Sequence, residues 1–191
     1  MENANTPKQQ WIQVVEEYLT AARECLGLHL EVNTSRPSRC HMLGYSVTLL
    51  LLCATDAIGH GLLPPICKNG RRVNTRLDVL MQPPFDLNPN LDSTKVRKLT
   101  SWYRNMLAHT GTMSPNVFLE PAVQGEPFGF DNDDAPTLIR VPVLYEVIKA
   151  AWERRDKDVF YPPEMSGLPL PKPPVSSYGF AASGVVSLSG S

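Results

Sequence analysis

The 18 prolines of this 191-residue chain limit where helices can form, because proline lacks a backbone N–H and its ring clashes with the preceding helical turn. Apolar residues recur with helical spacing in the stretches between the prolines, or directly after one. We therefore predict five helices, at about residues 8–28, 38–58, 74–81, 94–108 and 142–155.

The first predicted helix is amphipathic, whereas the second is apolar on nearly every side. Apolar positions of the first helix follow a spacing of three and four residues, at Ile12, Val15, Leu19, Ala22 and Leu26. An all-round apolar helix is typical of a central position in a core. Gly59 and Gly61 are expected to end the second helix, shortly after Asp56. Asp92 or Ser93 is expected to cap the fourth.

The segment before the last helix and the C-terminal segment lack helical patterning. Residues 112–139 contain four prolines, five acidic residues and no Lys or Arg, which predicts a long loop with a strand or two. From Pro162 the chain is rich in Pro, Ser and Gly, and such a composition cannot build a core. We predict an all-α fold in residues 1–160, an antiparallel bundle of four to five helices with a long irregular loop before the last helix, and a disordered tail at 161–191.

The N-terminal residues lack the basic and apolar segments of a secretory signal, so we expect a cytoplasmic protein. The most apolar stretch, Met42–Ala54, is shorter than the ~20 residues that a bilayer needs. It is interpreted as a buried helix, and no membrane association is expected.

The four cysteines are Cys25, Cys40, Cys53 and Cys67, with no Cys-x-x-Cys pair among them. This spacing favours buried free thiols over a zinc site or a disulfide framework. Cys40 beside His41 is an alternative metal or nucleophile site, although no acidic or second Cys/His partner follows at ligand spacing. We expect neither a metal nor a cofactor.

The fourth predicted helix separates apolar and polar residues onto opposite faces. A turn of about 100° per residue puts Val96, Leu99, Trp102, Tyr103, Met106 and Leu107 on one face. The other face carries Lys98, Ser101, Asn105 and His109, with Arg97 and Arg104 beside it. Arg104, Asn105 and His109 form the candidate site. A structural role for His109 remains an alternative, because a cationic His interacts favourably with the C-terminal end of a helix.

The run Ser-Trp-Tyr-Arg-Asn-Met-Leu-Ala-His-Thr-Gly at 101–111 resembles the signature of the HEPN superfamily, in which an Arg and a following polar residue precede a His near the end of a helix. Here four residues separate Arg104 from His109. The resemblance covers roughly residues 8–156 and implies an all-helical domain. It also implies a metal-independent ribonuclease with Arg104, Asn105 and His109 as catalytic residues, a homodimer, and a toxin or defence role with an antitoxin or other protein partner.

A basic segment surrounds this motif. Between residues 68 and 104 there are eight basic residues against three acids, a net charge of +5, so the remainder carries −6 of the total of −1. Basic side chains bind phosphate backbones, and the candidate RNA-binding residues are Lys68, Arg71, Arg72, Arg76, Lys95, Arg97 and Lys98. A solvated helix face paired with the acidic 112–139 segment is the alternative.

Three hypotheses follow. The first is a metal-independent endoribonuclease that acts on RNA, with His109 as acid and base and Arg104 stabilising the phosphate. The second is a non-catalytic HEPN-like module that dimerises or binds a partner protein. A third, a DNA-binding helical protein, is disfavoured because no helix-turn-helix arrangement is recognisable.

Overall fold

The computed structural model describes residues 6–32, 37–64, 66–69, 71–87, 89–103, 117–156 and 158–161, with only the backbone for 28–32, 37–43, 67, 71 and 72. Its helices are α1 (Pro7–Val32), α2 (Pro37–Leu62), a 3₁₀ helix (Arg76–Met81), α3 (Ser93–Trp102) and α4 (Val141–Arg154). Its strands are β1 (Cys67–Lys68), β2 (Arg71–Arg72), β3 (Phe118–Glu120), β4 (Phe128–Phe130) and β5 (Pro136–Arg140).

The prediction of an all-α fold is wrong, because a three-stranded mixed sheet precedes α4. The strands lie in the order β3-β5-β4, with β5 parallel to β3 and antiparallel to β4. Aromatic and β-branched residues, which favour strands, occur in each of them, and Phe128 and Ile139 are buried. The segment 112–139 was predicted to hold a strand or two, and it contributes three strands that pair with one another. Strands β1 and β2 add a second, two-stranded sheet.

A turn held by Asp131 joins β4 to β5. The Asp131 carboxylate accepts hydrogen bonds from the backbone N–H of Asp133 at 2.9 Å and of Ala135 at 2.8 Å. Asp134 has a φ of 58°, a conformation that Asp tolerates better than most residues. Part of the acidic segment therefore forms a turn, which explains why acids are common there.

Helix α2 continues past Gly59 and Gly61 to Leu62, so the prediction that these glycines end the helix is wrong. A Cβ added at Gly59 would overlap the backbone carbonyl of Arg76, and one at Gly61 would overlap the ring of Trp11. The glycines are there because the 3₁₀ helix and α1 approach α2 closely.

One cluster of buried apolar side chains joins the four helices, the 3₁₀ helix and the three-stranded sheet. Residues of α2 such as Val47, Leu51 and Ile58 are fully buried in it, which agrees with the predicted central position. In α1, the apolar positions predicted to face the core are buried at Val15, Leu19, Ala22 and Leu26, and Ile12 is partly buried against them. The apolar face of α1 was therefore predicted correctly.

Within the described residues, Gly44–Leu62 of α2 is long and apolar enough to cross a membrane by length and composition, and half of that window is buried inside the protein. A core helix of a soluble protein meets the same criterion. The criterion therefore does not distinguish a membrane span from a core helix here.

Candidate functional site

The predicted catalytic residues Arg104, Asn105 and His109 lie outside the described residues. So do Met106 and Leu107 of the predicted apolar face, Gly111, and the predicted tail from Pro162. The structure describes α3 and the residue after it, Tyr103, which is joined directly to Arg104. Tyr103 is therefore the described residue nearest to the motif along the chain.

Helix α3 is capped and oriented as its sequence predicts. The Asp92 carboxylate accepts hydrogen bonds from the backbone N–H of Thr94 at 2.8 Å and of Lys95 at 2.9 Å. These bonds hold the pKa of Asp92 below its usual value, because they favour the ionised form. The apolar face is buried at Val96, Leu99, Trp102 and Tyr103. This face positions Tyr103 against α2.

A cavity of about 440 Å³ lies beside Tyr103, within the range of ~300–1,000 Å³ that is typical of small-molecule sites. Its walls come from α1, α2, the 3₁₀ helix and residues that follow α3 and α4. The lining residues are Pro7, Gln10, Trp11, Val14, Tyr18, Cys53, Asp56, Ala57, His60, Arg76, Tyr103 and Phe160.

Tyr103 contacts α2 through its hydroxyl, which lies 3.2 Å from the Cys53 Sγ. Burial raises the pKa of Tyr103, and the contact with Cys53 raises it further. Burial likewise raises the pKa of the Cys53 thiol, although the contact with the Tyr103 hydroxyl opposes this. Both groups are therefore neutral at physiological pH, and the thiol is not activated as a nucleophile.

An ion pair between α2 and the 3₁₀ helix forms another wall of the cavity. The Arg76 Nη1 lies 2.9 Å from the Asp56 Oδ2, and the two side chains are 37% and 21% exposed. The close approach at Gly59 brings the 3₁₀ helix near enough for this contact. A carboxylate and a guanidinium side by side offer adjacent acceptors and donors to a ligand.

Trp11 anchors the base of the cavity. Its Nε1–H donates to the Ala57 carbonyl at 2.7 Å, and its ring packs edge-on against Trp152 with centroids 5.2 Å apart. The guanidinium of Arg155 covers the Trp152 ring at 3.7 Å, and burial lowers the pKa of Arg155. Phe160 lies against Trp11 with centroids 5.1 Å apart. These contacts hold the base of the cavity rigid.

Of the predicted RNA-binding residues whose side chains the structure describes, Arg76 alone lines the cavity. Arg76 lines the cavity, whereas Lys98 on α3 donates to the backbone carbonyl of Asp133 in the turn before β5. Lys95 lies 5.6 Å from the centroid of the Phe130 ring. Lys68 and Arg97 are exposed, and the side chains of Arg71 and Arg72 are outside the described part of the chain.

The predictions about the four cysteines and a possible metal site can be compared with the structure only in part, because some of these side chains are not described. Among the residues that the structure describes, no group of three or more His, Cys, Asp or Glu side chains could hold a metal ion. Cys25 and Cys53 are free thiols, both half-buried. The side chains of Cys40, His41 and Cys67 are not among those described.

Sequence reasoning missed most of the cavity. Tyr18, Cys53 and His60 line it, but none belongs to a recognisable motif. Asp56 had a visible signal, since a carboxylate in an otherwise apolar helix needs a partner. The partner, Arg76, is 20 residues away in the chain, so the pair forms only when the 3₁₀ helix packs on α2.

Comparisons with models of protein families, with curated proteins and with solved structures found no match to this chain. The resemblance to the HEPN superfamily therefore stays a prediction based on the motif.

Proposed function

We propose that this protein is a metal-independent endoribonuclease of HEPN type, with Arg104, Asn105 and His109 as its catalytic residues. The supporting observation is the cavity of about 440 Å³ beside Tyr103, because the motif begins one peptide bond from a residue that lines it. A concave site with a few convergent polar groups is the usual setting for ligand binding.

Each residue type suits cleavage of a phosphodiester by the neighbouring 2′-hydroxyl. His109 exchanges a proton with the attacking or leaving oxygen, a role that suits histidine because it is the side chain that most readily gains and loses a proton near neutral pH. Arg104 remains charged and stabilises the negative charge that develops on the phosphate. Asn105 holds the His or a phosphate oxygen through its amide. The products are a cyclic phosphate and a 5′-hydroxyl.

The experiment is cleavage of end-labelled RNA by purified protein, with and without EDTA. We expect cleavage in both conditions. His109→Ala should slow it ~10²–10⁴-fold, and Arg104→Ala should be comparably harmful. Arg23→Ala is the matched control, because Arg23 is exposed on α1 and pairs only with the adjacent Glu24 within the described chain. Equal cleavage by wild type and both motif variants would show that the site is wrong.

A partner-binding module is the second candidate, favoured by exposed apolar side chains. Phe118 on the edge strand β3 is 68% exposed and Val123 after it is 72% exposed. An edge strand with an exposed apolar side chain is a frequent site of contact with another protein. No RNA cleavage by wild type, together with a strict monomer in light scattering, would favour this module over the homodimeric ribonuclease.

A further inference from the structure

The cavity beside Tyr103 combines aromatic walls with one ion pair, and this combination restricts its ligand. Four aromatic residues line it, namely Trp11, Tyr18, Tyr103 and Phe160. Its charged wall is the Asp56–Arg76 pair, at 2.9 Å. A ligand must therefore present apolar surface to the rings and polar atoms to the pair.

Charge argues against a phosphate in the cavity. The carboxylate of Asp56 offsets the positive charge of Arg76, and it would repel an anion that approached Arg76. Isolated phosphate sites usually present basic groups or backbone N–H groups without an adjacent carboxylate. A neutral group with both donors and acceptors fits the pair better.

The ion pair retains hydrogen-bonding capacity. A guanidinium has five N–H donors and a carboxylate has two acceptor oxygens, and the contact between the side chains uses the Arg76 Nη1 and the Asp56 Oδ2. Both side chains are partly exposed. Within the described part of the chain no other hydrogen bond of this pair is seen, so its remaining N–H groups and the Asp56 Oδ1 can bind the edge of a planar ligand.

We propose that this cavity binds one unstacked base of the RNA substrate, with its edge against Asp56 and Arg76 and its ring against the aromatic wall. Bases of single-stranded RNA are neutral and planar, carry donors and acceptors on one edge, and stack on aromatic side chains. The inference rests on the proposed ribonuclease function. In that case the cavity determines which base is accepted next to the phosphate that is cleaved.

The test is a titration of the full-length protein, followed through the indole N–H signals in NMR spectra. The probes are the four ribonucleoside 3′-monophosphates, with ribose 5-phosphate as the base-free control. Trp11 lines the cavity whereas Trp102 does not, so Trp102 is an internal reference. We expect a saturable shift of the Trp11 signal with at least one nucleotide and none with ribose 5-phosphate.

Two variants test the site. Asp56→Asn removes the charge but keeps the shape, and should weaken binding about tenfold or more, as expected for a lost hydrogen bond to a charged group. Val14→Tyr adds bulk at the cavity rim, where Val14 is 41% exposed, and should weaken binding without removing a polar group. Val73→Tyr is its control, because Val73 is exposed and does not line the cavity.

The outcomes separate this inference from the proposed function. The base site would be overturned if ribose 5-phosphate shifted the Trp11 signal as much as the nucleotides do. It would also be overturned if the Val14→Tyr variant bound the nucleotides as tightly as wild type. RNA cleavage by a wild type that binds no mononucleotide would overturn it too, while leaving the ribonuclease proposal in place. Nucleotide binding without RNA cleavage would support the base site and overturn the ribonuclease. If Asp56→Asn fails to fold, the two Tyr variants decide.

Discussion

Gly59 and Gly61 allow three elements to meet at the C-terminal end of α2. Gly59 lies against the backbone of the 3₁₀ helix, and Gly61 lies against the ring of Trp11. Backbone atoms cannot yield as the end of a flexible side chain can, so the contact at Gly59 tolerates no Cβ. The absence of a Cβ at Gly59 therefore allows the 3₁₀ helix to approach α2, so that Arg76 can pair with Asp56.

Gly59→Ala should lower the free energy of unfolding by about 1–3 kcal/mol, the usual cost of overpacking. Gly27→Ala is the matched control, because Gly27 is also helical and nothing lies within 4 Å of its added Cβ. That control should raise stability by about 0.5–1 kcal/mol, since alanine favours the helix. Urea denaturation of both variants measures the difference, and equal effects would contradict the close approach.

The Cys53–Tyr103 contact should make stability decrease in alkaline solution. Burial raises the pKa of Cys53 above its usual 9.0 and that of Tyr103 above its usual 10.0. The unfolded chain therefore loses these protons before the folded one does, so stability is fully present below pH 9.0 and decreases above it.

Urea denaturation from pH 7 to alkaline pH measures this loss, and the double variant Cys53→Ala, Tyr103→Phe should show a shallower decrease than wild type. The measurements at pH 7 and at alkaline pH must be made at equal ionic strength, because salt screens the surface charges, which also titrate. The same slope for wild type and double variant would show that neither group is responsible.

At the scale of elements, α3 presents its basic residues to different surroundings. Arg97 and Lys98 are both exposed. Lys98 donates to the backbone carbonyl of Asp133, in the turn between β4 and β5, whereas within the described part of the chain Arg97 makes no such contact. The charge pattern of the sequence is the same for both residues. The two residues differ because the turn between β4 and β5 lies within reach of Lys98.

If RNA binds along α3, Arg97→Ala should weaken binding more than Lys98→Ala. Each lost phosphate contact should reduce the slope of log affinity against log salt by about 0.7 for single-stranded RNA. Fluorescence anisotropy with labelled RNA at several salt concentrations measures both slopes. A larger change for Lys98→Ala would show that this side chain leaves the turn to bind RNA.

Across the whole molecule, residues after α4 close the core near the cavity. Phe160 packs on Trp11, and the backbone N–H of Tyr161 donates to the Gly61 carbonyl at 2.7 Å. The structure therefore joins the end of the described chain to α1 and α2. The composition of residues 162–191 predicts no comparable contribution to a core.

Removing residues 162–191 should leave cooperative unfolding intact, with a change within about 0.5 kcal/mol. Removing Phe160 and Tyr161 as well should cost about 1–3 kcal/mol, because the partly buried ring of Phe160 and its contact with Trp11 are lost. Thermal unfolding of the two truncations compares them directly. If the chain that lacks only residues 162–191 failed to fold cooperatively, the predicted tail would be part of the core.

The helices were predictable because their signals are local. Apolar spacing, prolines and the Asp92 cap act over a few residues, so they placed α1, α2 and α4, and the start of α3, to within a few residues. The predicted end of α3, at about residue 108, lies outside the described residues. The catalytic motif is a local signal of the same kind, and its role stays a prediction. A strand or two was predicted in residues 112–139, but three strands pairing into one sheet were not, because each of β3 to β5 is at most five residues long and prolines interrupt the pattern.

The sequence by itself determined where most helices lie and which faces they bury, because those choices depend on spacing along one element. Only the tertiary structure decided that the glycines of α2 serve close packing, that Asp56 meets Arg76, and that Tyr103 faces a cavity. These features depend on contacts between residues far apart in the chain, and such contacts exist only after the elements have packed against one another.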